Sequence, residues 1–345
     1  MSGAPDSGSP MRRSIAGRLI FWFLVIALIP CAILTAITAR IAARALEDSV
    51  RTNLLQIAAA KAGELETYAS ERVRDGAALA RGPTFIRAAA TRPRLAAKSA
   101  EFGEYFTYVA KSFGYVQLLL IDASGRVVYA MDDAIPPGTS VVSGSLASSE
   151  LAAGFDRART LLQSDLCGFQ AYGASGRPIA FVTCPIFDGG TVIGVLALGL
   201  GTERIWKVLS DLSGLGDSGE IVAVQLEGDA ALVTTPLRHV PDAPFRMRIP
   251  LGSAQGVGSQ RAANGERGYG IVRDYRGEEV VSAWCYLPSF RWGMNVKQDA
   301  DEAFALVRFQ RLAILGLSLA TIVGVTLAAL LVARTISNPI RTAVS

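Results

Sequence analysis

Two long apolar segments without charge most constrain what this chain can fold into. Residues 19–39 and 312–333 run for 21 and 22 residues without a charged side chain. At about 1.5 Å per residue, roughly 20 helical residues cross a hydrocarbon core of about 30 Å. Both segments are therefore predicted to be transmembrane helices in a lipid bilayer. The 272 residues between them, 40–311, then form one large domain on the far side of the membrane.

The distribution of charge predicts the orientation of the chain. Its net charge is +4, yet residues 40–311 hold 29 basic and 29 acidic side chains. The excess lies on the short flanks, in Arg12, Arg13, Arg18, Arg334 and Arg341. Basic flanks mark the cytoplasmic side, so we expect both termini to be cytoplasmic and the central domain to lie on the far side of the membrane. Because the surplus is a topology signal, it does not indicate a nucleic-acid partner.

The first apolar segment has a second interpretation. Basic residues precede it, and Ala43-Arg44-Ala45 fits the small-x-small cleavage site of a signal peptide. Its apolar run is longer than the 7–15 residues usual in signal peptides. A cytoplasmic tail over 1–18 followed by an uncleaved span is the favoured prediction, and cleavage stays the alternative.

A long helix is predicted after the first span, over residues 41–80 of a helical region 40–112. Its apolar positions follow a 4, 4, 3 spacing, an 11-residue period typical of a nearly straight helix. These positions are Leu46, Val50, Leu54, Ile57, Leu65 and Tyr68. The helix is either a stalk that carries movement to the membrane or an ordinary amphipathic helix packed on its own domain.

From residue 113 onward the apolar period changes to that of strands. Two sets of strands follow, over 113–212 and 213–300. Each set opens with a strand, a tight turn and a return strand, and each closes with three antiparallel strands. This arrangement predicts an internal repeat and an α+β fold class.

Several motifs in this order resemble the double Cache (dCache) extracytoplasmic sensor family over residues 40–311. They include Leu119-Leu120-Ile121-Asp122, Asp188-Gly189-Gly190 and Arg291-Trp292-Gly293-Met294. The resemblance implies two tandem PAS-like antiparallel-sheet lobes, a distal one (113–212) and a proximal one (213–300), flanked by the long juxtamembrane helix and the two transmembrane helices. It also implies a bacterial inner-membrane protein with a periplasmic sensor domain, a homodimer, and a small-molecule ligand in the distal lobe.

The segment after the second span, 334–345, resembles the start of a HAMP linker. It reads Arg334-Thr335-Ile336-Ser337-Asn338-Pro339-Ile340-Arg341, and the resemblance gives Pro339 the role of relaying the signal. We expect a sensor for signal transduction whose kinase, cyclase or chemotaxis output would lie beyond Ser345. The alternative is a membrane-tethered periplasmic binding or scaffold protein without an output of its own.

Catalytic, metal-binding and cofactor-binding patterns are missing from the sequence. The one histidine, His239, lies in a loop between two prolines, which supports neither a histidine metal site nor a catalytic triad. No catalytic residue, metal or cofactor is predicted, and the chain as given is not expected to be an enzyme.

Eight residues are candidates for lining the ligand pocket of the distal lobe, although core packing is an open alternative for each. Tyrosines and an arginine can hold a carboxylate or an amine between aromatic walls. The candidates are Tyr115, Gln117, Tyr129, Asp132, Arg157, Phe169, Phe181 and Thr183. The Arg-x-Trp-Tyr signature of the amino-acid-binding family members is missing, so amino-acid specificity is not predicted.

A disulfide is the remaining candidate feature. If a hairpin turns at residues 174–177, Cys167 stands directly opposite Cys184, at a separation that a disulfide can bridge. An oxidising periplasm would allow the bond. Two buried free thiols are the alternative, and Cys285 is expected in the core.

Overall fold

A computed structural model describes residues 15–91, 99–174 and 176–343. The chain divides into two compact units, one formed by the described parts of 1–50 and 303–345, the other by residues 51–302.

The first unit consists of apolar helix. Helix α1 (Ile15–Ala80) begins in it, and α7 (Ala300–Ala303) ends in it before α8 (Ala305–Ala343). By length and composition, segments within Leu28–Ala80 and Ala305–Ala328 are apolar enough to cross a membrane, with mean hydropathies of 1.5 and 1.9. Large apolar side chains such as Leu34 and Leu315 are exposed on them, as expected for surfaces that contact lipid.

Helix α8 contains Pro339 and continues to Ala343, so no helix end marks the predicted start of the HAMP linker. Helix α1 likewise runs without interruption from the first apolar segment into the predicted juxtamembrane helix. The two predicted elements are therefore one continuous helix of 66 residues.

The part of α1 in the second unit has an 11-residue repeat of buried positions. Leu54 and Leu65 are buried, and so is Gly76 at the next equivalent position. A second series runs in parallel, four residues later, through Ala58, Ala69 and Ala80. This confirms the predicted period, which keeps one face of a nearly straight helix turned to the same neighbours.

The distal lobe is a sheet with helices on both faces. Helices α2 (Pro83–Thr91) and α3 (Ser99–Ser112) precede the first strand in the chain, α4 lies between the second and third strands, and α5 follows the last strand. Its strands and later helices are β1 (Gln117–Asp122), β2 (Val127–Ala130), α4 (Glu150–Leu161), β3 (Asp165–Leu166), β4 (Gln170–Tyr172), β5 (Arg177–Asp188), β6 (Thr191–Leu200) and α5 (Glu203–Leu209). The order is β2-β1-β6-β5-β3, with β4 also on β5, and every pairing is antiparallel. Strands β1, β5 and β6 are apolar on both sides because helices cover both sides.

The proximal lobe is a second antiparallel sheet with one covering helix. Its elements are β7 (Glu220–Glu227), β8 (Ala230–Val233), β9 (Arg248–Pro250), α6 (Val257–Ala263), β10 (Gly268–Arg273), β11 (Glu279–Leu287) and β12 (Trp292–Asp299). The order is β10-β11-β12-β7-β8-β9. Apart from the added edge strand β9, this is the distal order read from the other edge, so the predicted repeat is confirmed.

Two local predictions are wrong. The strand pattern of the sequence predicts one strand over residues 167–172, whereas the structure has two, β3 and β4. Residues 167–169 lie outside both strands, although the Cys167 amide still bonds the Phe181 carbonyl of β5. Helices α4 and α6 are additional to the predicted elements. Helix α4 begins at a capping residue, Ser149, whose hydroxyl accepts a hydrogen bond from the Ala152 amide at 3.1 Å.

Candidate functional site

The interior of the distal lobe, where a ligand pocket is predicted, is filled with apolar side chains. The cluster lies between α4 and the sheet, and its members are less than 4% exposed. It consists of Leu119, Ile121, Val127, Ile135, Val141, Leu151, Phe155, Ala158, Cys167, Tyr172, Ile179, Phe181, Val195 and Ala197. Close packing of this kind leaves the candidate Phe181 in edge contact with Tyr172, at a centroid distance of 5.3 Å.

The candidates Tyr115 and Tyr129 contact helices of the distal lobe. The Tyr115 hydroxyl donates a hydrogen bond to the Arg72 carbonyl of α1 at 2.9 Å. The Tyr129 ring packs edge-on against Phe106 of α3, at a centroid distance of 4.9 Å. Burial raises the pKa of both phenols. These tyrosines therefore join the sheet to its helices.

Gln117 and Asp132 are bound to each other at the start of the sheet. The Gln117 amide donates to the Asp132 carboxylate, and its carbonyl oxygen accepts from the Leu118 amide at 2.8 Å. The same carboxylate oxygen accepts from the Ala134 amide at 2.9 Å. Both side chains thus fix the loop that follows β2.

Arg157 and Thr183 join α4 to β3 and β5. The Arg157 Nε donates to the Asp165 carboxylate at 2.7 Å, and the Thr183 hydroxyl donates to the Gly154 carbonyl at 3.1 Å. The eight candidates therefore do not enclose one common space within the described residues. Ligand binding by any one of them stays a prediction.

The eighth candidate, Phe169, lies where the two lobes meet. Its ring is 5.1 Å from that of Trp292 and 6.4 Å from that of Phe290, measured between centroids. Phe245 lies 6.3 Å away on the same cluster. Aromatic burial of this extent is a strong apolar contact, so Phe169 anchors the distal lobe on the proximal one.

The predicted disulfide between Cys167 and Cys184 is wrong in this structure, where both thiols are free. The register differs from the predicted one, because Asp165 pairs with Thr183 and the Cys167 amide bonds the Phe181 carbonyl at 2.8 Å. The two side chains lie on opposite faces of the sheet. Cys167 belongs to the cluster under α4, whereas Cys184 faces Gly76 of α1. Burial raises the pKa of each thiol to about 12.

The proximal lobe is filled in a different way, by the close approach of α6 to the sheet. A Cβ atom at Gly293 would lie 2.3 Å from the Ala262 carbonyl carbon, and one at Gly258 would lie 2.7 Å from the Ser282 hydroxyl oxygen. Glycine is needed at both positions for this contact. Helix α6 therefore packs directly on the sheet at these two glycines.

A buried ion network lies beside this helix. Lys297, 1% exposed, contacts the carboxylates of Asp274 at 2.7 Å and Glu220 at 2.8 Å. Arg276 pairs with Asp274 at 2.7 Å and also with Asp299. Burial acts to raise the pKa of Asp274, but hydrogen bonds and charge from Lys297 and Arg276 outweigh it and hold that pKa below its ordinary value. Each charge in the network has a partner, as buried charges require.

An open cleft of about 280 Å³ lies between the lobes and α1. Three elements contribute: one face of α1, the start of β3, and the turn between β11 and β12. The lining residues are Ala69, Ser70, Val73, Arg74, Ser164, Asp165, Leu166, Pro288, Ser289 and Arg291. Concave sites with apolar walls and a few converging polar groups are the usual places for small ligands, so this cleft is the candidate site.

The turn 288–291 that borders the cleft is held by specific contacts. Ser289 donates from its amide and its hydroxyl to the carboxylate of Glu66 on α1, at 3.2 and 2.6 Å. Arg291 has a φ of 55°, a backbone conformation uncommon outside glycine. Its guanidinium contacts Glu150 at 2.8 Å and Asp165 at 3.7 Å. Sequence reasoning noted Arg291 but missed the site, because its residues come from three distant segments.

Groups of three or more metal-ligating side chains are not found among the described residues. His239 is exposed, and its Nε2 lies 3.2 Å from an Arg276 guanidinium nitrogen.

The two sheets of matching strand order, joined to one long helix, define a two-lobed fold of the dCache type. Solved structures of ligand-binding sensor domains share it. The ligand-binding domain of the Campylobacter jejuni chemoreceptor Tlp3, in complex with 4-methylisoleucine, matches with a TM-score of 0.54 at 12% identity, over 75% of this chain and 94% of that one. The ligand-binding domain of the Pseudomonas aeruginosa PAO1 amino acid chemoreceptor PctB, in complex with L-Arg, matches with a TM-score of 0.51 at 17% identity, over 75% and 98%.

A third similar structure is the extracellular domain of mmHK1S-Z2, a protein assigned as a histidine kinase. It matches with a TM-score of 0.51 at 12% identity, over 72% of this chain and 97% of that one. At these identities the likeness establishes the fold alone. No protein-family model and no curated protein matches the chain.

Proposed function

We propose that this chain is the sensing part of a transmembrane receptor. The observation that carries the proposal is the position of a dCache-type fold, residues 51–302, between two helices of membrane-spanning length and composition. Proteins of similar fold bind amino acids and related small molecules as chemoreceptors. By this proposal a small molecule binds on the extracytoplasmic side and shifts the equilibrium between two states of the receptor, which requires different affinities for the two.

The proposed topology follows from the charges at the flanks. Basic residues concentrate at both ends of the chain, whereas residues 40–311 are neutral overall, so both termini are proposed to be cytoplasmic. The segment 334–345 is proposed to begin a HAMP linker through which Pro339 relays the signal. A homodimer related by a two-fold axis is the proposed assembly.

The identity of the ligand does not follow from the similar proteins. The Arg-x-Trp-Tyr signature of amino-acid binders is missing from the sequence, and the distal interior is filled by core side chains. We therefore propose small-molecule sensing without amino-acid specificity.

The filled interiors of both lobes favour one second candidate, a membrane-tethered binding or scaffold protein. A scaffold needs rigid lobes and a surface, and it needs no cavity within either lobe. It would not transmit a signal through its second membrane helix.

One experiment separates the two candidates. The full chain is joined after residue 345 to the cytoplasmic part of a characterised histidine kinase, and a transcriptional reporter is measured against a library of small molecules. A receptor gives a response that is lost when 312–333 is replaced by an unrelated apolar helix, or when Pro339 is replaced by Ala. A reporter that no compound changes, or one indifferent to both replacements, would support the scaffold instead.

A further inference from the structure

The cleft between α1, β3 and the turn 288–291 has two kinds of wall. Ala69, Val73, Leu166 and Pro288 give it apolar surface, and the other lining residues are serines, two arginines and one aspartate. Sites for drug-sized ligands have volumes of about 300–1,000 Å³. A volume of about 280 Å³ therefore suits a small amphipathic molecule with a short apolar body and one polar end.

Arg74 supplies cationic donors without a partner in this cleft. It lies one helical turn after Ser70 on the same face of α1, and its side chain is exposed. Among the described residues, no carboxylate or carbonyl accepts a hydrogen bond from its guanidinium. A guanidinium presents five N–H donors in a fixed plane that matches a carboxylate with two parallel hydrogen bonds. Arg74 is therefore available to an anionic ligand.

Asp165, the acidic residue that lines the cleft, already has an ion-pair partner in Arg157. Its carboxylate contacts the Arg157 Nε at 2.7 Å, so Arg291 engages it only at 3.7 Å. The Glu150 carboxylate forms an ion pair with one Arg291 guanidinium nitrogen at 2.8 Å and also accepts a hydrogen bond from the Gly168 amide at 3.0 Å. The second Arg291 nitrogen thus has no close acceptor in either carboxylate. Both arginines of the lining keep donors for a ligand.

Glu66 is a third acid near the cleft, and its role differs from those of Asp165 and Glu150. Both of its carboxylate oxygens accept hydrogen bonds from Ser289, at 3.2 and 2.6 Å. It holds the turn in place and is not part of the lining. Its charge lowers the affinity for anions in general, so selectivity must come from directed hydrogen bonds and apolar contact together.

We propose that the inter-lobe cleft binds a small organic carboxylate, with its carboxylate on Arg74 and Arg291 and its apolar body against Val73, Leu166 and Pro288. This rests on the proposed sensing function and assigns that function a site and a ligand class. The ligand touches both lobes and α1 at once, so its binding depends on how these elements are arranged.

The test measures binding to the full chain in lipid nanodiscs by isothermal titration calorimetry. Butyrate is the carboxylate probe. Butanamide keeps its shape without charge, butylammonium reverses the charge, and inorganic phosphate is an oxyanion without an apolar body. Saturable binding of butyrate alone is the expected result. Equal binding of phosphate would overturn the carboxylate assignment, and equal binding of butanamide would overturn the role of the arginines.

Variants then locate the site. Hydrogen bonds to charged groups contribute about 1.5–3 kcal/mol, so Arg74→Gln should weaken butyrate binding about tenfold or more. Arg74→Lys keeps the charge but loses the planar guanidinium that makes two parallel hydrogen bonds to a carboxylate. It should weaken butyrate binding less than Arg74→Gln does. Arg81→Gln, at an exposed position just after the same helix, is the matched control and should change nothing. Butyrate affinity that is unchanged in Arg74→Gln would overturn the site.

The failure of this inference can be told from failure of the sensing function. If butyrate does not bind but another compound drives the kinase reporter described above, the ligand class is wrong and the receptor stands. If butyrate binds through Arg74 yet no compound drives the reporter, the site stands and the receptor does not.

Discussion

The buried ion network of the proximal lobe gives the sharpest test of the fold, through the variant Lys297→Met. Lys297 is 1% exposed, Asp274 is 2% exposed and Glu220 is 4% exposed. Removing one partner of a buried ion pair costs about 3–5 kcal/mol, because the remaining charge is left without compensation. Methionine fills the space of the lysine stem, so the loss reflects charge rather than a cavity.

The surrounding contacts place the expected loss at the lower end of that range. Asp274 keeps Arg276 at 2.7 Å, and Glu220 keeps the Tyr275 hydroxyl at 3.1 Å and the Arg238 amide. We therefore expect a loss of about 3 kcal/mol in the free energy of unfolding. With a urea dependence of about 3 kcal/mol per molar, the urea midpoint falls by about 1 M.

The assay is urea unfolding of the full chain in nanodiscs, followed by tryptophan fluorescence at pH 7 and pH 4.5. The pKa of Asp274 is lowered by folding, so this group stabilises the native protein above its ordinary pKa of about 3.9. That contribution is lost only as the pH falls through the lower, folded value. In Lys297→Met the lysine no longer opposes the effect of burial, which raises the pKa of Asp274. This carboxylate should therefore take up a proton at a higher pH than in the parent, and the deficit should shrink between pH 7 and pH 4.5.

Lys207→Met is the matched control, because Lys207 is exposed on α5. Its free energy of unfolding should stay within about 0.5 kcal/mol of the parent. A Lys297→Met midpoint equal to that of the control at pH 7, or a deficit that does not change with pH, would refute the reasoning that these charges are buried and mutually compensated.

Three further predictions concern packing and the thiols. Gly63→Ala, with no atom within 4 Å of the new Cβ, should raise the free energy of unfolding by about 1 kcal/mol. At Gly76 the new Cβ would meet the Cys184 sulfur at 2.8 Å, so Gly76→Ala should lower the free energy of unfolding by about 1–3 kcal/mol. In differential scanning calorimetry Gly76→Ala should therefore unfold at a lower temperature than Gly63→Ala. Phe169→Ala removes the anchor between the lobes and should cost about 3 kcal/mol, measured by urea unfolding, with an unchanged midpoint as the contradicting result. Because burial raises the pKa of Cys167 and Cys184 to about 12, both thiols should resist alkylation by iodoacetamide at pH 8 in the folded protein, and a drop in melting temperature on adding dithiothreitol would contradict free thiols.

The sequence was sufficient to predict elements whose signal is local and periodic. The 11-residue repeat of α1 and the apolar strands β1, β5 and β6 each repeat one physical pattern over many residues. The two opening hairpins were predictable because tight turns have a characteristic residue chemistry. These signals were enough to predict the repeat of two antiparallel lobes.

The site was not predictable in the same way, because strand register and the packing of side chains in the lobe interiors depend on tertiary contacts. A shift in the pairing of β3 with β5 moved Cys167 away from Cys184, and residue periodicity alone could not distinguish the two registers. Whether Phe181 lines a pocket or fills a core depends on how far α4 approaches the sheet. Helix α6 was missed because a seven-residue helix containing glycine has little intrinsic helical preference.

The packing of the lobes also indicates why a ligand would act between them rather than inside them. A close-packed interior resists changes in volume, so a ligand could not readily change the arrangement of side chains in the distal core. The cleft is bordered by an exposed ion pair, Arg291 with Glu150, whose side chains are 42% and 39% exposed. Exposed pairs contribute about 0–1 kcal/mol, so a carboxylate that binds the second nitrogen of Arg291 meets a side chain that its ion pair holds only weakly. Strand β12 begins at Trp292, directly after Arg291, and ends at Asp299 in the buried ion network. A ligand that moves the turn therefore acts on a strand fixed by charges at its other end, which favours two discrete positions over a gradual deformation.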